Sequence, residues 1–239
     1  MTARFYRLFG PFALIGAFLC TPPAHADLVL DQVIVDLESD KPARGDIEIS
    51  NVGTERMYVL IEPFEILNPG LENEQRVPLD KPSVSKLFVS PQRVILDPDQ
   101  RSLIRIVAIG ERPEVDRIFR VMVRPVVGEL QSENDALKVL VGYDALVLLR
   151  ADRETGGITW DRSKEGILVL RNESNSAREF FEGTQCDERG EQCVTLPAKR
   201  LYPGQKFDFI LPYSTPVTFQ TALGDRVETR IFADQPDSD

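Results

Sequence analysis

The chain is 239 residues long and acidic, with 28 Lys and Arg against 38 Asp and Glu and a net charge of −10 at pH 7. Such a balance argues against nucleic acid and anionic lipid as partners. Its one histidine, His25, lies in a leader-like segment, so Ser-His-Asp and Cys-His nucleophile systems and His-ligated metal centres are excluded from the rest of the chain.

Residues 1–26 read as a secretory signal peptide. Arg4 and Arg7 supply the positive start, "PFALIGAFLC" the short apolar run, and Ala24, His25 and Ala26 a small-residue site that predicts cleavage after Ala26. Leu19 precedes Cys20 where a lipobox wants Gly, Ala or Ser, which argues against lipidation. Loss of Arg4 and Arg7 leaves 26 basic against 38 acidic residues, a net of −12, and two cysteines, Cys186 and Cys193. No later segment has the length of a transmembrane helix, so the expectation is an exported protein with no membrane insertion.

Strand-like runs follow, punctuated by Pro, Gly and Asn. In order they are "LVLDQVIVDL", "RGDIEISN", "MYVLIEPFEI", the turn "LNPG" (Leu67 to Gly70), "KLFVSPQRVIL", the turn "DPDQ", "SLIRIVAI", "RIFRVMVRPVV" and "LKVLVGYDALVLL". Ile47 and Ile49 alternate with Asp46, Glu48 and Ser50. Phe119, Val121 and Val123 alternate with Arg120, Met122 and Arg124. This is the period of half-buried antiparallel strands. After "RADRETGG" (Arg150 to Gly157) the pattern restarts with "GITWD", "GILVLRN", "REFFEGTQC", "CVTLPAKRLYPG", "QKFDFILP" and "VETRIF". Short strands spaced by turn signals predict an all-β protein of two sandwiches, 27–149 and 150–239.

"LKVLVGYDALVLL" (Leu137 to Leu149) combines high β-propensity with little charge and no Pro, an aggregation hazard if left open. Leu137, Val139, Val141 and Tyr143 share one face, opposite Lys138, Leu140, Gly142 and Asp144. From Ala145 the run is apolar on both faces. Cys186 and Cys193 frame "CDERGEQC", which in an exported chain suggests a hairpin-stapling disulfide. A redox pair, the rival reading, usually needs Cys-x-x-Cys at a helix N-terminus. No motif pairs the scattered carboxylates and no Gly-rich phosphate loop stands in strand–Gly–helix context. The chain is therefore read as neither an enzyme nor a binder of a metal or cofactor.

The run "FVSPQRVILDPDQRSLIRI" followed by "IFRVMVRPV" resembles the N-terminal domain of the PapD-like periplasmic pilus-assembly chaperones. "IEISN" resembles its second strand, and "LYPGQKFDFILP" and "GDRVETRIF" the end of its second domain. "LNPG", "VSPQRVIL" and the paired cysteines resemble the alternate, colonisation-factor branch. The likeness covers nearly all of Asp27 to Phe232.

The resemblance implies two immunoglobulin-like domains set at an angle, and a periplasmic chaperone that complements unfinished fimbrial subunits by β-augmentation and delivers them to an outer-membrane usher. It implies that Leu137, Val139, Val141 and Tyr143 form the donated strand. Arg150 falls on the family's basic residue at the domain joint and Asp116 on its acidic partner, with a further acid expected near Ala222 or Asp225. The better-known branch holds the subunit's C-terminal carboxylate with two basic residues. Those positions read Ile34 and Leu146 here, and neither could hold a carboxylate. Exposed edges also invite self-association of the free protein. The alternative is a secreted two-domain β-sandwich adhesin or structural module, in which Leu137 to Leu149 is an ordinary core strand.

Overall fold

A computed structural model describes residues 27–79, 86–126, 140–163 and 166–233. Its first half holds β1 (Leu28–Leu30), β2 (Ile34–Leu37), β3 (Arg44–Asn51), β4 (Met57–Leu67), β5 (Gln75–Pro78), β6 (Leu87–Ser90), β7 (Arg93–Leu96), β8 (Arg101–Ala108), β9 (Arg117–Val126) and β10 (Tyr143–Leu149). The second half holds β11 (Ile158–Arg162), β12 (Ile167–Asn172), β13 (Arg178–Cys186), β14 (Cys193–Leu196), β15 (Lys199–Leu201), β16 (Lys206–Ile210), β17 (Val217–Leu223) and β18 (Arg226–Phe232). No helix occurs among the described residues.

Each half is an immunoglobulin-like sandwich of two sheets. In the first, the order β1-β3-β8-β6 faces β2-β10-β9-β4-β5, with β7 also on β4. In the second, β11-β12-β16 faces β14-β13-β17-β18, with β15 also on β13. The predicted alternation explains the packing. Ile47, Ile49, Ile104, Ile106, Phe119, Val121 and Val123 fill the first core, and their polar neighbours face outward. Phe180, Phe209, Phe219 and Phe232 fill the second, where Phe180 meets Phe219 edge to face at 6.0 Å.

Three sequence expectations need correction. "LVLDQVIVDL" is two strands in opposite sheets. Asp31 breaks it, donating its N–H to the Glu48 carbonyl and accepting the Glu48 N–H at Oδ1, so the chain crosses over before β2. "KLFVSPQRVIL" likewise divides at Pro91, with β6 on β8 and β7 on β4. β5 and β17 were not foreseen. In β17, Thr221 occupies an inward position between Phe219 and Leu223, which hides the apolar alternation.

The two halves also repeat one local device. Asn51 ends β3 and is fully buried. Its Nδ2 donates to the carbonyls of Glu55 (2.7 Å) and Leu96 (3.1 Å), and its Oδ1 accepts from Gly53 N–H. Asn172 ends β12 and does the same with the carbonyls of Ser176 and Leu201, both at 2.9 Å, and with Ser174 N–H. Each asparagine sits over a Pro turn, "LDPDQ" or "LYPGQ", whose third turn residue has positive φ (Asp99 at 61°, Gly204 at 78°) as a type II turn requires. In each the closing glutamine accepts a turn N–H at Oε1. Gln100 takes it from Asp97 at 2.9 Å and Gln205 from Tyr202 at 3.0 Å.

Cys186 and Cys193 are directly opposed on β13 and β14 and are disulfide-bonded. The chain-entropy model gives a loop of this size about 2–3 kcal/mol. Replacing both cysteines with Ser should lower the second half's stability by about that amount and leave amide-exchange protection in the first half unchanged. Hydrogen exchange resolved by residue would check both statements.

Candidate functional site: an open strand edge and a charged joint

β10 lies between β9, antiparallel, and β2, parallel. Ala145, Val147 and Leu149 belong to the first core. Leu146 and Leu148 face the other way and pack with Ile66, Ile118, Ala177 and Tyr202, an apolar cluster that draws on both halves. All five residues from Ala145 to Leu149 are buried. Tyr143 is half-buried against the first core and its hydroxyl donates to the Leu28 carbonyl at 2.9 Å.

Toward its N-terminus the strand changes character. Val141 is 47% exposed, Gly142 is exposed and Leu140 is half-buried. Leu137 and Val139 lie outside the described residues. β9 continues to Val126 in its ladder with β4, pairing Tyr58 with Val126. Its ladder with β10 starts only at Val123 opposite Tyr143. Arg124 to Val126 thus have a strand neighbour on one side only among the described residues. Gly142 passes close by, since a Cβ there would stand 3.0 Å from the Arg124 Cβ.

The other end of β10 runs straight into Arg150, which is 7% exposed. Its Nη1 donates to Asp116 Oδ2 (2.8 Å) and to the Ala177 carbonyl (2.6 Å). Its Nε and Nη2 make a fork to Asp36, at 2.8 and 2.5 Å. Asp116 has a fully buried side chain, and it also accepts the N–H groups of Ala151 and Ala177 and the Ser176 hydroxyl. Burial pulls the Arg150 pKa down, but bonds and charge from Asp36 and Asp116 outweigh it, and the net shift is upward. The guanidinium is therefore held charged.

Asp116 and Arg150 are in direct contact. The further acid is Asp36 on β2, which sequence reasoning passed over. Asp225 instead pairs with Lys41, which also meets Glu38 at 2.8 Å. Ala222 carries no acid and pairs with Val227 in its ladder.

Ile34 and Leu146 are register partners on β2 and β10, 42% and 5% exposed. Arg120 lies directly across from Leu146 on β9. Desolvation raises the pKa of the Tyr202 hydroxyl, while Arg120 and Arg200 oppose that shift. Both cations therefore stand near the same phenol. Arg200 pairs with Glu179, and its buried Nη1 has no hydrogen-bond partner among the described residues. No group of three or more His, Cys, Asp or Glu is arranged for a metal among the described residues.

No family model matches the sequence, and no curated protein matches it. Solved structures do. The class 5 fimbriae chaperone CfaA superposes with a TM-score of 0.62 at 20% identity, over 87% of this chain and 99% of that one. This is the fold of the fimbrial chaperones. A chain from the Salmonella enterica complex of SafA pilin with the SafB chaperone gives 0.63 at 13% identity, over 88% and 98%. A chain from the CsuC–CsuE chaperone–tip subunit pre-assembly complex of Acinetobacter baumannii Csu pili gives 0.58 at 11% identity, over 88% and 100%. Within this fimbrial-chaperone fold, the Arg150 cluster occupies the junction of the two sandwiches.

Arg150→Ala leaves the Asp116 carboxylate buried without its cation. It should cost about 3–5 kcal/mol in chemical denaturation. Arg150→Lys should restore little of this, because a point charge does not replace a planar fork.

Proposed function

We propose that the chain is a periplasmic chaperone of fimbrial subunits, with sandwich domains over 27–149 and 150–239. It holds a subunit by pairing the strand from Leu137 toward Tyr143 into the subunit's unfinished sheet, and hands it to an outer-membrane usher. The observation that carries the proposal is the exposed Val141 at the point where β10 leaves the β9 ladder. Val141 has the parity of Tyr143, Ala145 and Val147, whose side chains serve the first core. Continued outward, that parity gives Leu137, Val139 and Val141 to the partner's core, and Tyr143 marks the hand-over between the two.

The chemistry asked of the protein is modest. Three buried aliphatic side chains offer roughly 1.5–3 kcal/mol each, before the cost of ordering the strand is subtracted. Main-chain pairing adds register without sequence demands on the client. No covalent step, nucleotide or metal is involved, so the protein is not an enzyme. The export leader and the disulfide both suit the periplasm.

The carboxylate anchor differs from the better-known branch in this reading. Ile34 and Leu146 bring no charge to the subunit terminus, and Arg120, across the ladder from Leu146, is a charged candidate for it. Arg200 stands on the facing domain.

Co-expression with a fimbrial subunit tests the proposal. Val139→Asp with Val141→Asp should abolish co-purification while the melting curve stays that of the parent, and a subunit that still co-purifies would remove the donor-strand assignment. Arg120→Ala should weaken capture of the intact subunit. A subunit trimmed at its C-terminus should bind parent and variant equally.

A further inference from the structure

We infer that Gln205 is a positioning residue, a latch that fixes the orientation of the first sandwich on the second independently of Arg150. Its amide is held at both ends. Oε1 accepts the Tyr202 N–H at 3.0 Å and closes its own turn, while Nε2 donates across the joint to the Pro69 carbonyl at 2.6 Å. A planar amide gripped at oxygen and nitrogen has no free rotation, so it fixes the "LNPG" turn against the "YPGQ" turn.

The internal repeat supplies the control. Gln100 closes the equivalent turn of the first half through the same oxygen, yet it is exposed. Turn closure alone therefore does not call for a buried glutamine. Gln205 is 6% exposed because its nitrogen serves a second partner. Gly70 is fitted to the same contact. Its φ is 69°, and a Cβ there would overlap the Gln205 amide. The turn that presents Pro69 is itself braced, with Leu71 N–H donating to the Asn68 carbonyl and Gly70 N–H to Glu74 Oε2.

The inference rests on the chaperone reading only for its consequence, since the latch would set the shape of the cleft offered to a client. Its test needs no client. Residual dipolar couplings report the relative orientation of the two halves in the intact chain. Gln205→Glu keeps the oxygen for Tyr202 and loses the donor for Pro69, placing a carboxylate against a carbonyl. Its orientation should shift at pH 8, and Gly70→Ala should shift it too. Burial raises the pKa of the new carboxyl and the Tyr202 N–H bond lowers it, so the pH at which it takes up a proton is read from its own titration. Below that pH the protonated side chain donates again, so the Gln205→Glu shift should vanish while the Gly70→Ala shift remains.

Exchange protection of the Tyr202 amide checks that the turn stays closed in Gln205→Glu. If it opens there, Gly70→Ala carries the test. An unchanged orientation in both variants at pH 8 overturns the latch. So does a Gln205→Glu shift that persists once its carboxyl is protonated. Failure of the parent to bind any fimbrial subunit would instead overturn the chaperone reading and leave the latch standing.

Discussion

Arg150 has to be charged, buried and forked at once, and much of the molecule is arranged around that need. It follows β10 without a spacer, so the strand that completes the first sandwich also delivers the guanidinium to the joint. Asp36 reaches it from β2, which pairs with β10, and Asp116 from the residue before β9. The Ala177 carbonyl and N–H bring in the segment leading to β13. A buried ion with one partner missing is costly, while a fully bonded cluster is tolerated and directional. Two sandwiches that meet over a thin apolar cluster would otherwise have many nearly equivalent ways to lean. The cluster removes most of them.

Much of the fold was legible because it rests on period-two alternation. "GDIEISN" and "FRVMVRP" place Ile47, Ile49, Phe119, Val121 and Val123 inward, as a half-buried antiparallel strand must. Alternation fails where a polar side chain has a tertiary partner. Asp31 inside an apolar run, and Thr221 inside β17, both make sense only once the opposing strand is present. The site shows the same division. Leu146 and Leu148 looked two-sided because a second domain covers their outer face. Asp36 carries no local signal, since its partner lies at the far end of the domain and only the parallel ladder brings the two together.

The duplicated turn was legible but easily overlooked. Leu96 to Gln100 and Leu201 to Gln205 share Leu, Pro and Gln at matching positions, and each begins at a Leu whose carbonyl accepts from a buried Asn. The same few hydrogen bonds support both halves. The copies differ in setting, because one faces solvent and the other faces the neighbouring sandwich. The two turns thus differ in their neighbours more than in their bonding.

The parallel pairing of β2 with β10 has a kinetic side. Residues 34–37 leave the ribosome early but find their ladder partners only in residues 146–149. Contacts so distant along the chain form late and slow the folding of β-rich domains. The first sandwich therefore stays unfinished until nearly all of its sequence has emerged. The residue that follows its closing strand is Arg150, so completion of one domain coincides with the first contact to the next. A chain emerging N-terminus first would meet these events in that order.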